Sequence, residues 1–147
     1  MGGYPSRALR TRGYLYIRNY EPGRWPNGTP DYQNAAIPGA WYADTDNGPT
    51  KTYILENRDV DENHRRAYDL AFAKRPPEEL YDLRNDAGQL TNVAAVALYD
   101  SIREELRQRL QAELEATDDP RSRGAGAFFD EFDYLGGAPR HPSWSRR

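Results

Sequence analysis

Apolar and polar positions recur along the chain with two different periods, and each marks a different element. In residues 6–20, SRALRTRGYLYIRNY, Leu15 and Ile17 alternate with Tyr14, Tyr16 and Arg18. A period of two is that of a strand, so a β-hairpin is predicted. Its turn falls at Arg12-Gly13, where a glycine suits a positive φ. One face is expected to be apolar and the other aromatic and cationic, as in a half-buried antiparallel sheet. Residues 95–116 show the second period. Leu98, Ile102, Leu106, Leu110 and Leu114 recur every four residues, with Val96 and Tyr99 beside them. This predicts a long helix with a drifting stripe, because a four-residue step overshoots the helical turn by about 40°. Arg103, Glu104, Glu105, Arg107, Gln108, Arg109, Gln111 and Glu113 fall on the outer face. Opposite charges four apart, Glu105–Arg109 and Arg109–Glu113, support it. Asp118-Asp119-Pro120 stops it.

The elements between these two are shorter. Residues 21–50 read as loop, since Pro22, Pro26, Pro30, Pro38 and Pro49 interrupt any regular element. Thr50–Leu55, TKTYIL, is a strand candidate. Residues 64–74 suit a short helix with Tyr68, Ala71 and Phe72 on one side, ended by Pro76. After Pro76-Pro77, residues 79–83 form a further strand, with Leu80, Tyr81 and Leu83 as core. A polar turn follows, Arg84 to Gly88, and Thr91 or Asn92 is placed to cap the long helix. From Arg121 the chain is a tail whose Phe128, Phe129, Phe132 and Tyr134 form an aromatic knot expected to dock. The reading is an α+β fold over residues 1–120, with an aromatic, partly flexible tail over 121–147.

Composition narrows the function classes. The chain has 147 residues, enough for one domain with a modest core. Its mean hydropathy is −0.99, yet 11 Tyr, 3 Trp and 4 Phe argue against a disordered chain. The net charge of −3 argues against nucleic acid as a partner. No apolar run approaches the ~20 residues of a membrane span, and the first ten residues hold no apolar signal core. With no cysteine there is no disulfide frame, thiolate metal site or Cys nucleophile.

Candidate chemistry is sparse. His64 and His141 are 77 positions apart, without triad or zinc spacing around either, and read as surface histidines. Asp59-Val60-Asp61-Glu62-Asn63 opens like a calcium loop. However, His64 stands at its glycine position and Leu70 at that of its bidentate acid. Asp44-Thr45-Asp46-Asn47-Gly48 fails likewise at Leu55. The rings from Trp25 to Tyr42 suit a sugar platform with Arg24 beside it, although rings that pin the loop down are the favoured reading. Arg7, Arg10, Arg12, Arg18 and Arg24 give the N-terminal third a cationic bias. Lys51 is placed in a turn. No residue is assigned a catalytic, cofactor-binding or metal-binding role.

Several stretches, taken together and in order, resemble bacterial sulfatases of the sulfamidase (heparan N-sulfatase) branch. EELYDLRNDAGQLTNVA, residues 78–94, is similar to their C-terminal pattern of Glu-Leu-Tyr-Asp-Leu, a turn with Asp-Pro, then Asn-Leu/Val-Ala. Here Ala87 replaces the proline after Asp86. SRALRTRGYLYIRNY resembles the hairpin that opens the same subdomain, and GPTKTYILENR and AFAKRPPEELYDL are similar to that branch. The resemblance spans roughly residues 4–120. Gly3-Tyr4-Pro5-Ser6-Arg7 matches the formylglycine signature except at its first place, where Gly3 has no side chain to oxidise. The resemblance implies a C-terminal subdomain with a small antiparallel sheet of about four strands packed on one long helix, with long Pro/Gly-rich loops. The catalytic residues and a calcium ion would belong to a catalytic domain upstream, in cis or as a separate chain. That domain is the implied partner, and a sulfated glycan a further one. The parent enzyme would be exported, hydrolysing sulfate esters or N-sulfate, and this chain alone would be inactive. The alternative is a stand-alone module that binds sulfated glycan or another protein.

Overall fold

The computed structural model describes residues 3–28, 30, 42, 44–46 and 48–131. They belong to two compact units, one from Pro5–Glu21 and Pro76–Asp133, the other mainly from Pro22–Arg75. The fold is α+β.

In the first unit, β1 (Ser6–Arg10), β2 (Tyr14–Asn19) and β3 (Glu78–Asp82) form an antiparallel sheet in the order β1-β2-β3. Leu9 pairs with Tyr16, Tyr16 with Leu80, and Tyr14 with Asp82. The hairpin forms where the alternation predicts it, but Gly13 does not take a positive φ. The Thr11 hydroxyl organises the turn instead, accepting from the N–H groups of Gly13 at 3.3 Å and Tyr14 at 2.9 Å. Such a side-chain bond mimics a backbone turn and removes the need for left-handed backbone.

Helix α3 (Asp100–Ala116) follows a 3-10 turn at Ala97–Tyr99 and packs on the sheet. Buried Leu106, Leu110 and Leu114 join Tyr16, Leu80 and Ala94 in one core, with Leu9, Tyr14 and Ile102 half-buried around them. Fully burying each such leucine contributes roughly 1.5–3 kcal/mol. The covered face of β2 is therefore its tyrosine face, not the Leu15/Ile17 face alone. A tyrosine ring fills a core well when its hydroxyl finds a partner, and the Tyr16 hydroxyl donates to Glu78. Leu98, expected in the stripe, is 86% exposed. It lies in the 3-10 turn that precedes α3, outside the helix, so the buried stripe begins only at Ile102. Arg107, expected on the outer face, crosses to the sheet and donates to Glu78 through Nε at 2.8 Å and Nη2 at 2.6 Å. Arg109 reaches Glu105 at 3.9 Å.

Neither Thr91 nor Asn92 caps α3, whose N-cap position is Tyr99, without a side-chain bond. Asn92 serves the sheet. Its Oδ1 accepts from the N–H groups of Leu80 at 2.9 Å and Ala94 at 3.0 Å, and its Nδ2 donates to the Glu78 carbonyl at 3.3 Å. With the Val93 N–H on the Leu80 carbonyl at 2.8 Å, a side-chain amide closes the edge of β3. The helix ends as expected. Asp118 takes a left-handed φ of 55°, and the Asp119 N–H returns to the Leu114 carbonyl at 2.8 Å, the six-to-one bond of a Schellman end. On the other side of the sheet, the buried Glu79 accepts from Asn19 Nδ2 at 2.7 Å and from the Tyr81 hydroxyl.

The second unit carries α1 (Pro49–Glu56) and α2 (Glu62–Phe72). The expectation of a strand over Thr50–Leu55 is corrected: those residues are helical, so the described sheet has three strands rather than about four. The β-branched Thr50, Thr52 and Ile54 suggest a strand. Pro49, however, fixes the φ of a first helical turn, and a helix places Lys51 and Leu55, four apart, on one buried side. Asp61 caps α2 by accepting from the His64 N–H at 2.9 Å. Tyr42, Leu55, Tyr68 and Phe72 form the core, with Trp25 packed against it.

Candidate functional site

An open cleft of about 460 Å³ lies where β2, β3 and the start of α3 meet. Tyr14, Asp82, Arg84, Leu98, Tyr99 and Ile102 line it, with Ser101 and Glu105. The sheet places Tyr14 and Asp82 opposite each other by register. The 3-10 turn before α3 supplies Leu98 and Tyr99, and the helix itself Ile102. One wall is thus apolar and aromatic.

The polar wall is internally satisfied. Arg84 donates to Asp82 through Nε at 3.0 Å and Nη2 at 3.1 Å, and Asn85 Nδ2 adds a bond at 3.0 Å. The Tyr99 hydroxyl reaches the same carboxylate at 3.5 Å. The Arg84 guanidinium hydrogen bond, followed by those from Asn85 and the Arg84 backbone, holds the Asp82 carboxyl at about 2 against the opposing effect of burial. Arg84 also lies over the Tyr14 ring, 4.6 Å from its centroid, and bonds the Tyr14 hydroxyl. An ionised, fully bonded carboxylate beside a neutralising guanidinium has no proton to give and little basicity.

A second groove, of about 500 Å³, runs past Arg18, Arg107, Gln111, Glu115 and Ser122. Its guanidiniums are engaged: Arg18 with Gln111 at 3.2 Å and over the Tyr20 ring, Arg107 with Glu78. Burial first, and then the Glu78 bond, pushes the Tyr16 phenol up to about 12.

The predicted cationic bias disperses in the fold. Arg7 pairs with Asp119 at 2.7 Å, and Arg24 donates to the Gly3 carbonyl. Arg10 and Arg12 are exposed at the hairpin tip. Ser6 and Arg7 of the near-match to the formylglycine signature are residues of β1. Lys51 is not in a turn. It is a buried helical residue whose Nζ donates to the carbonyls of Tyr42 at 2.9 Å and Thr45 at 2.7 Å, and burial lowers its pKa. Trp25 meets Tyr42 edge-on at 6.1 Å, and Tyr42 meets Phe72 at 5.0 Å, so these two rings pin their loop. Tyr32, Trp41, Phe132, Tyr134 and His141 lie outside the described residues. Phe128 and Phe129 meet edge-on at 5.8 Å in a 3-10 turn and stay largely exposed.

Among the described residues no group of three or more acidic or histidine side chains is placed to hold a metal ion, and no helix is long and apolar enough to cross a membrane. His64, read as a surface histidine, is partly exposed in the structure. It sits between the Asp61 carboxylate and the Tyr53 hydroxyl. Asp61 and His64 are three apart, a spacing visible in the sequence, but Tyr53 faces His64 only because residues 50–55 are helical. No protein-family model and no curated protein matches the chain.

Proposed function

We propose that this chain is the supporting C-terminal subdomain of a sulfatase of the sulfamidase-like branch, and that the lead-in to α3 seats the catalytic domain. One observation carries the reading. The stretch that resembles sulfatases, residues 78–94, folds as the last strand, a turn and the approach to the long helix. It holds one exposed apolar residue, Leu90, and runs directly into two more, Val96 and Leu98. Apolar side chains grouped on a surface mark an interaction site, and Leu98 stands in an open cleft with an aromatic floor. In such an enzyme the formylglycine and calcium chemistry belongs to the catalytic domain. This subdomain buries a face of that domain and shapes the rim of a cleft for sulfated glycan.

The purified chain is expected to bind an apolar dye and to associate with rising concentration. Leu98→Lys should weaken both while leaving the unfolding midpoint in place. Equal dye binding and association in the variant would remove the assigned face. The chain alone should not hydrolyse aryl sulfates, and robust turnover would overturn the supporting role. The coding sequence immediately 5′ of the Met1 codon gives the decisive check: an in-frame sulfatase domain is expected there, and its absence together with an inactive, monomeric chain would refute the reading.

A further inference from the structure

We propose that Tyr53, His64 and Asp61 form a proton relay that makes the Tyr53 phenol a nucleophilic acceptor for acyl groups from activated esters. This goes beyond the supporting role and does not depend on it. Asp61 Oδ1 lies 2.8 Å from His64 Nδ1, and His64 Nε2 lies 3.0 Å from the Tyr53 hydroxyl. Both ends are open to solvent, Tyr53 at 58% and Asp61 at 52%, while the His64 side chain between them is 26% exposed.

The proton positions follow from the geometry. A carboxylate accepts only, so Nδ1 carries the hydrogen and donates to Asp61. Neutral His64 then has a bare Nε2, and the Tyr53 hydroxyl must donate to it. Asp61 is held in place independently, because the same Oδ1 caps α2 through the His64 N–H at 2.9 Å. The imidazole is therefore oriented by a residue fixed by the helix terminus, the ordering seen in base-activated nucleophiles generally. The nearby Asp59 and Arg65 pair with each other at 3.2 Å, and Tyr53 is the α1 residue that faces the ring.

In the step proposed, Tyr53 Oη attacks the ester carbonyl carbon as its proton passes to His64 Nε2. The tetrahedral adduct collapses, the bond to the leaving alkoxide or phenoxide breaks, and Nε2–H returns the proton to that oxygen. The products are acyl-Tyr53 and an alcohol, with no oxidant or further reactant required. Asp61 touches neither ester nor phenol and is a positioning residue.

The test is acetylation of the full chain by p-nitrophenyl acetate, mapped by peptide mass spectrometry, with N-acetyltyrosinamide as reference. At pH 7.5, Tyr53 should label about tenfold or more faster than the reference, since positioned general bases commonly contribute about a hundredfold or more. His64→Gln keeps the backbone N–H that Asp61 caps, so the helix start is retained. It should drop the rate to that of the reference. Asp61→Asn keeps a capping oxygen but loses the charge that orients the ring, and should label at a rate between that of the protein and that of His64→Gln. Labelling of Tyr53 no faster than the reference, or an unchanged rate in His64→Gln, would overturn the proposal.

Discussion

The two units of this chain reach order by different routes. The sheet–helix unit is held by periodic burial: Leu106, Leu110 and Leu114 repeat along α3 and meet Tyr16 and Leu80, which the strand register sets side by side. Polar bonds such as Glu78–Arg107 finish that seam but do not create it. The helical unit has two short helices and an aromatic core of Tyr42, Leu55, Tyr68 and Phe72. There, polar anchors set the chain path. Lys51 fixes two loop carbonyls, the Tyr42 and Tyr68 hydroxyls bond each other at 2.8 Å, and Asn27 Nδ2 holds the Ala71 carbonyl at 2.6 Å. A helix of eight residues is too short to be stable on propensity alone, so α1 depends on such contacts. The sheet–helix unit is expected to tolerate loss of a polar bond better than loss of a leucine. The helical unit is expected to be the reverse.

The largest effect belongs to Leu106→Ala, which should cost about 2–5 kcal/mol by leaving a cavity under the sheet. Leu98→Ala, exposed in the 3-10 turn just before α3, should stay within about 0.5 kcal/mol. Equal urea midpoints for the two variants would break the comparison. Next is Lys51→Met, which strands the Tyr42 and Thr45 carbonyls. About 1–3 kcal/mol is expected, seen as faster hydrogen exchange in α1 with α3 unaffected. Faster exchange throughout α3 would show that the units do not separate as described.

Smaller is the pH effect at Asp82. Its folded pKa of about 2 lies below the ordinary 3.8. Its contribution is thus fully present above about pH 5 and lost as pH falls through 4 towards 2. The stability gap between the protein and Asp82→Asn should narrow over that window, and a constant gap would remove the carboxylate as its source. The smallest effect is Asp118→Gly. The left-handed end of α3 favours glycine, so a gain of up to about 1 kcal/mol in thermal or urea stability is expected. A loss would show that the exposed Arg123 pairing outweighs backbone strain.

Local chemistry made much of the fold legible. The alternation in residues 6–20 and the leucine repeat after residue 98 needed no tertiary knowledge, because each period matches one backbone geometry. The proline pair at 76–77 and the strand after it were equally plain. Thr50–Leu55 was not, since its β-branched residues suit a strand while its burial pattern suits a helix. The candidate cleft was hidden for a related reason. Leu98 counts as core in a periodic stripe, but the helix begins only at Asp100 and the 3-10 turn before it leaves Leu98 outward.

The amino-acid sequence by itself determined where the hairpin forms, that a long helix follows the last strand, and where α3 stops. Backbone periodicity and turn chemistry act over a few residues and can be read there. Only the tertiary structure decided that the tyrosine face of β2 is the covered one, that Asn92 closes a sheet edge instead of capping a helix, and that Tyr53, His64 and Asp61 meet. Those outcomes depend on which faces two elements present to each other. A rotation of one helix by a fraction of a turn changes them without altering any local preference.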